Sequence, residues 1–193
     1  MHNGQPKYLS ALGQSNEPQG WRENIVKGGI ILDYDSKEIV STGLAMPHAP
    51  RIYDEKLYVL LSAEEKLVCV DPATGKYDDV CHIGGFVRGM CRYLDYVFIA
   101  TSKLRKNSST FRHLKIADKA DVASVTIVHL PTGARVATLT YMASVDEIYD
   151  IQILPSTTRP NILNTYTDQY KTALMLPNHN FWGQTKKEED KTS

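Results

Sequence analysis

The sequence has no excess of charge of either sign, no long apolar run and few cysteines. Lysine plus arginine and aspartate plus glutamate both number 22, so no overall field attracts nucleic acid or an anionic membrane. No run approaches the roughly 20 apolar residues of a membrane-spanning helix, and the N-terminus lacks the charged and apolar regions of a signal peptide. We therefore expect a cytoplasmic protein that binds neither membranes nor nucleic acid.

The three cysteines, Cys69, Cys81 and Cys91, have no CxxC spacing and lie inside apolar runs. We expect them to be reduced and packed as small hydrophobic side chains. The sequence also lacks a Gly-x-Ser-x-Gly elbow, a P-loop and a dinucleotide-binding glycine pattern. The common nucleophile, phosphate and nicotinamide mechanisms therefore lack their usual markers.

Short β-branched and aromatic runs separated by turn residues recur along the 193 residues, whereas helical periodicity is hard to find. This pattern predicts an all-β protein. Three segments share the form of an apolar strand, a polar turn and a second strand: 30–37, 67–75 and 126–133. Each is predicted to be a β-hairpin.

The spacing of these hairpins indicates a repeated unit. Asp33 and Asp71 are 38 residues apart, while Asp71 and His129 are 58 apart, and a polar insertion over 103–120 accounts for the difference. Residues 57–62 also resemble residues 97–102 at an offset of 40. Periods of roughly 40 to 50 residues with four short strands are typical of β-propeller blades.

We therefore predict a partial β-propeller over residues 1–155 that begins in the middle of a blade. With strands named A to D from the axis outward, its parts are B–C–D strands within 7–42, a blade over 49–82, a blade over 89–141 containing the insertion, and a lone A strand over 148–154. Residues 156–193 form a C-terminal extension, and the charged tail 186–193 is predicted to be disordered.

Twelve strands make three blades' worth, whereas closed propellers have about four to eight blades. Two interpretations stay open. Either an N-terminal half is missing, or two copies form a homodimer in which each lone A strand completes the other copy's three-stranded blade in a six-bladed ring.

Several strings resemble one uncharacterised family of bacterial conserved hypothetical proteins with a predicted propeller fold. They lie within residues 5–155 and are 6–13, 20–24, 28–29, 46–51, 70–75, 87–90, 102–105 and 147–155. The resemblance implies a propeller whose further strands lie upstream, because the family resembles this chain only in its C-terminal half. It implies no activity.

Polar side chains at the starts of the predicted A strands would face the central channel. They are His48, Arg51, Arg88, Asp146, Glu147 and Asp150. Arg88 could give bidentate contacts to an anionic or sugar-like ligand whose hydroxyls donate to the carboxylates. The alternative is that these groups satisfy one another around a wet channel.

A divalent cation held by Glu147, Asp150 and an oxygen of Asn24 would suit a lactonase-like hydrolase. Acids three residues apart on a strand do not share a face, so we expect no cofactor and keep the cation as an alternative. His48, within the proline-rich turn 47–50, is a candidate general base or a satisfied turn histidine.

Two loops are further candidates. The segment 21–24, Trp21, Arg22, Glu23 and Asn24, either binds a ligand or plugs an apolar groove with Trp21. The insertion carries the basic residues Lys103, Arg105, Lys106, Arg112, His113 and Lys115, and is predicted to be a solvated lid or a loop that faces a partner.

Three hypotheses for function remain. The first is a non-enzymatic binding module for a protein or a small polar ligand. The second is a hydrolase with a channel site, and the third is a truncated gene product without an independent role.

Overall fold

The fold is that of a computed structural model, which describes residues 4–104, 110–111, 114–117, 120–143, 145–158, 166, 168–176 and 179–182. The chain forms two compact units, Met1–Ile153 and Leu154–Ser193. The predicted boundary after residue 155 lies two residues beyond this division.

The described part of the first unit is an all-β stack of three antiparallel sheets, each a simple up-and-down meander. The first has β1 (Tyr8–Ala11), β2 (Gly29–Asp33) and β3 (Ile39–Leu44). The second has β4 (Pro47–Tyr53), β5 (Lys56–Leu61), β6 (Lys66–Val70) and β7 (Tyr77–His82). The third has β8 (Phe86–Tyr93), β9 (Tyr96–Ser102), β10 (Ala123–His129) and β11 (Ala134–Tyr141). Three open sheets of this kind form the predicted all-β partial propeller.

The three predicted hairpins share one turn. The amide N–H groups of Lys37, Gly75 and Gly133 each donate to the carbonyl oxygen four residues earlier, at 3.0, 2.8 and 2.9 Å. All three residues have positive φ, between 64° and 72°. The repeat seen in the sequence is therefore a repeat of backbone geometry, and glycine fills two of the three positions because it adopts positive φ without strain.

The core lies between the sheets, and β5 shows how it forms. Successive side chains of a strand point to opposite faces. Leu57, Val59 and Leu61 pack toward the first sheet, in a cluster with Ile31 and Leu44. The alternate residues, Tyr58 and Leu60, pack toward the third sheet, in a cluster with Val87, Met90 and Ile99. One strand therefore joins both apolar layers.

The proline-rich segment around His48 differs from the prediction, because it is part of strand β4 and not a turn. β4 is the edge strand of its sheet, where a residue without an N–H is tolerated. A bulge between His48 and Arg51 accommodates Pro50. His48 is thus held opposite Leu60 on β5.

The predicted lone strand over 148–154 is not a strand in the structure. Ile148 uses both its backbone groups on one side chain, donating to Ser102 Oγ at 3.0 Å and accepting from it at 3.2 Å. Next to it, Lys103 N donates to Asp146 O at 2.7 Å, so the start of the segment is tied to the end of β9. The segment also lies against β8, because a Cβ on Gly89 would be 2.5 Å from Asp150 Cα.

The insertion over 103–120 is anchored on its apolar side. Leu104, Leu114, Ile116 and Ala120 are buried in a cluster with Phe86. The described residues of the insertion therefore include an apolar anchor that the prediction of a solvated lid or a partner-facing loop did not contain. Arg105, Lys106, Arg112 and His113 lie outside them.

In the second unit, the described residues form a short 3₁₀ helix, Asp168–Thr172, and a hairpin of β12 (Ala173–Leu176) and β13 (His179–Trp182). The tail 186–193 lies outside the described residues. Cys69, Cys81 and Cys91 are free thiols, as predicted, and burial raises the pKa of each. Over the described residues, no helix is both long enough and apolar enough to span a membrane.

Candidate functional site

The inner edges of the second and third sheets carry the predicted channel residues. His48 and Arg51 lie on β4 and Arg88 lies on β8, while Glu147 and Asp150 lie on the segment that packs against β8. Arg51 Nη2 is 3.8 Å from Asp150 Oδ2. The structure thus gathers on one edge five residues that the sequence places up to about 100 positions apart.

Arg88 is the centre of this group. Its guanidinium carbon is 4.6 Å from the ring centroid of Tyr149 and 5.6 Å from that of Phe86. None of the described carboxylates forms an ion pair with Arg88. Two aromatic rings therefore fix the side chain while its N–H donors stay available.

A cleft of about 260 Å³ opens beside Arg88. Its walls include the polar groups of Ser102, Lys103, Glu147 and Tyr149 and the rings of Phe86 and Phe111. The Tyr149 hydroxyl donates a hydrogen bond to Glu147 Oε2, and Lys103 Nζ is 3.5 Å from Asp146 Oδ1. The walls of the Arg88 cleft thus carry positively charged groups, hydroxyls, a carboxylate and aromatic rings.

His48 is held by its Nδ1 atom, which is 2.9 Å from Met46 O and 2.8 Å from Ser62 Oγ. A carbonyl oxygen only accepts, so the network assigns a proton to Nδ1. The Ser62 hydroxyl in turn donates to Val87 O at 2.5 Å. Ser62 thereby connects η2 (Ser62–Glu64), a short 3₁₀ helix, both to His48 on β4 and to the start of β8.

Burial lowers the pKa of His48, the hydrogen bond to Met46 opposes that shift, and the positive charge of Arg88 adds to it. The imidazole is therefore neutral at neutral pH. Its Nε2 has no partner among the described residues, where no side-chain nitrogen or oxygen is both buried and unpartnered. This nitrogen consequently offers a lone pair to solvent.

The segment Trp21–Asn24 belongs to η1 (Gly20–Asn24), a 3₁₀ helix. Trp21 is half-buried, with its ring centroid 6.4 Å from that of Phe111, and Arg22 lies over its indole at 5.5 Å. Trp21, Glu23 and Asn24 line a separate cleft of about 340 Å³. Trp21 therefore lies beside Phe111, a residue of the Arg88 cleft, but none of the four residues of the segment lines the Arg88 cleft itself.

The family model described as "Domain of unknown function (DUF4915)" matches residues 1–163. The chain belongs to this family. No curated protein matches the chain at a significant level.

In this DUF4915 chain, the three residues predicted to bind a divalent cation do not lie together. Asn24 lines one cleft and Glu147 another, and Asp150 lies beside Arg51. No group of three or more His, Cys, Asp or Glu side chains suited to a metal ion occurs in the part of the chain that the structure describes.

Sequence reasoning missed Tyr149, Ser62 and Ser102. A signal for the two serines was present, because they hold equivalent positions in the runs that repeat at an offset of 40. Ser62 donates to Val87 O on β8, and Ser102 donates in the same way to Ile148 O. The segment that begins at Ile148 is therefore bonded to Ser102 as β8 is bonded to Ser62 one repeat earlier. Tyr149 could have been found because it lies between two predicted site residues.

Proposed function

We propose that this chain is a non-enzymatic binding module for a small polyhydroxy carboxylate, such as a sugar acid, at the Arg88 cleft. The observation that carries the proposal is that Arg88 is fixed between the rings of Tyr149 and Phe86 without a carboxylate partner among the described residues. A half-buried guanidinium in that state is complementary to a ligand carboxylate, which it binds through two parallel hydrogen bonds.

The other groups of the cleft suit the hydroxyl-bearing part of such a ligand. Glu147 accepts from hydroxyls, Lys103 can donate to them, and the rings of Phe86 and Phe111 suit the C–H faces of a carbon chain. The cleft volume of about 260 Å³ lies just below the usual range of small-molecule sites, which favours a small ligand.

The serine beside His48 supports a binding role. Ser62 is fully buried and its hydroxyl already donates to Val87 O. A hydroxyl in that position cannot reach a bound ligand, so the His48–Ser62 pair is suited to holding the strands and not to nucleophilic attack.

Calorimetric titration with D-gluconate tests the proposal, with D-glucitol as the neutral polyol of equal chain length. We expect gluconate to bind and glucitol not to. Arg88→Met should weaken gluconate binding about 10-fold or more, and Arg88→Lys should weaken it less, because an ammonium group keeps the charge without the bidentate geometry.

Arg135→Met is the matched control, since Arg135 lies on β11 and donates to Ile83 O at 3.0 Å outside the cleft. Equal affinities of Arg88→Met and the unmodified protein, or equal binding of gluconate and glucitol, would contradict the proposal.

The open Nε2 of His48 favours one alternative, a hydrolase that acts on the corresponding lactones. In this scheme Nε2 takes a proton from water as the water oxygen attacks the lactone carbonyl, and the ring oxygen leaves with a proton. Hydrolysis of D-glucono-1,5-lactone above the spontaneous rate, lost in His48→Gln while gluconate binding persists, would establish this alternative over the binding module.

A further inference from the structure

A further and larger cleft lies beside the end of η2, at Ala63 and Glu64. Its volume is about 680 Å³, within the range of small-molecule sites. Val26, Ala63 and Leu114 give it an apolar wall, and Glu65 and Lys66 lie beside one another on its polar wall.

Glu65 is the unusual group in this cleft. It is 8% exposed and is the one charged residue in the buried set of the described chain. It follows η2 with a φ of 60°, and its own carbonyl oxygen accepts from Ile83 N at 2.7 Å. Its Oε1 atom accepts from the amide of Gly85 at 3.0 Å. The carboxylate is therefore held rigidly by the β7–β8 connection.

The other carboxylate oxygen, Oε2, has no hydrogen-bond partner among the described residues. Since no side-chain oxygen among them is both buried and unpartnered, Oε2 faces the open space of the cleft. Glu65 is thus a largely buried residue with one carboxylate oxygen held by Gly85 and the other open to the cleft, an arrangement complementary to a ligand that brings a hydrogen-bond donor or a positive charge.

The nearby lysine does not supply that charge. Lys66 Nζ is 2.8 Å from Glu64 and 2.9 Å from Asp79. Burial alone would lower the pKa of Lys66, but its hydrogen bonds to these two carboxylates outweigh burial and raise it. The Lys66 ammonium group is thus engaged by two acids. Lys115 also lines the cleft, but among the described residues neither lysine forms an ion pair with Glu65.

We propose that this cleft binds a small aliphatic amine, with the ammonium group on Glu65 Oε2 and the hydrocarbon chain against Val26, Ala63 and Leu114. The site is separate from the Arg88 cleft and takes a ligand of opposite charge. The proposal therefore stands or falls independently of the sugar-acid site.

The test is a titration of the full chain with n-hexylamine, followed by the NMR signal of the Gly85 amide, which reports directly on the Glu65 carboxylate. Hexan-1-ol is the uncharged ligand of equal length. We expect saturable binding of hexylamine with a dissociation constant on the order of 1 mM or below, and binding of hexan-1-ol at least about 10-fold weaker.

Glu65→Gln is the informative variant. The amide oxygen of glutamine can still accept from Gly85 N, while its NH₂ group would face the cleft and repel an ammonium ion. We expect hexylamine binding to weaken about 10-fold or more. Glu55→Gln is the matched control, because Glu55 is an exposed glutamate with nearly the same φ, 59° against 60°.

Val26→Lys is a second variant that tests the same site even if Glu65→Gln does not fold. Val26 is 42% exposed on the cleft wall, so a lysine there is tolerated and its ammonium group competes for Glu65. Hexylamine binding should weaken in this variant too. The proposal is overturned if the folded variants bind hexylamine as the unmodified protein does, if hexan-1-ol binds equally well, or if hexylamine does not bind.

Discussion

The guanidinium carbon of Arg88 lies 4.6 Å from the ring centroid of Tyr149, a residue 61 positions later in the chain. The contact joins β8 to the segment that follows the third sheet. It also keeps a cation at the mouth of a cleft where no described carboxylate pairs with it. The proposed binding of a sugar acid depends on this contact.

Replacing the Tyr149 ring should weaken ligand binding by loosening Arg88. Tyr149→Leu removes the cation–π contact, which we expect to cost about 1 kcal/mol, or a roughly fivefold loss of gluconate affinity. Tyr149→Phe keeps the ring and loses only the hydroxyl that donates to Glu147. Calorimetry should therefore rank Tyr149→Phe above Tyr149→Leu, and the reverse order would disprove the role of the ring.

Removing the Ser62 hydroxyl should cost more stability than removing an equally buried hydroxyl elsewhere. Ser62→Ala leaves Val87 O without its donor and His48 without one partner, at an expected cost of about 1–3 kcal/mol. Ser41→Ala is the control, because Ser41 makes one hydrogen bond, to Gly75 O at 2.8 Å. Urea unfolding measures both, and a larger loss in Ser41→Ala would refute the argument.

The stability of the fold should fall in mildly acidic solution because of His48. Burial lowers its pKa in the folded state below the ordinary 6.5, so the unfolded chain binds the proton more readily. The stabilisation is complete above pH 6.5 and is lost as the pH falls below it, with a slope of at most about 1.4 kcal/mol per pH unit. His48→Gln should flatten the dependence of the unfolding free energy on pH below about 6.5, and an unchanged slope would count against a neutral His48.

The close approach of the 145–153 segment to β8 should make Gly89 intolerant of any side chain. A Cβ there would lie 2.5 Å from Asp150 Cα, so Gly89→Ala should cost about 1–3 kcal/mol and should displace Tyr149. Gly43→Ala measures the cost of positive φ alone, because Gly43 has φ +74° and open space around it. We expect only Gly89→Ala to reduce gluconate binding. Equal effects of the two variants on binding would argue against the packing of this segment on β8.

The architecture was predictable because its signals are local. The turns after Asp33, Asp71 and His129 recur in the sequence, and each closes with the same hydrogen bond between residues four apart. The segment 148–154 was mistaken for a strand because it is apolar and follows the repeat, whereas its actual partner is the Ser102 hydroxyl. Ser102 lies 46 residues before Ile148, so the sequence around Ile148 does not show this pairing.

The site was predictable only in part. The rule that inner strands line the channel selected His48, Arg51, Arg88, Glu147 and Asp150, which the fold brings to one edge. Nothing local marked Glu65, because its burial comes from the β7–β8 connection closing over it. Periodicity and turn residues report local structure, so they do not reveal contacts that form only through tertiary packing.

The most direct test of the Arg88 site is the NMR signal of the arginine Nε–H groups during titration with D-gluconate. Arg88 has no carboxylate partner among the described residues, whereas Arg92 is held by Asp54 at 2.8 Å and serves as the internal reference. The sugar-acid proposal predicts a saturable shift of the Arg88 signal that D-glucitol does not produce, with the Arg92 signal unchanged. An Arg88 signal that does not move, or that moves no more than that of Arg92, would contradict it.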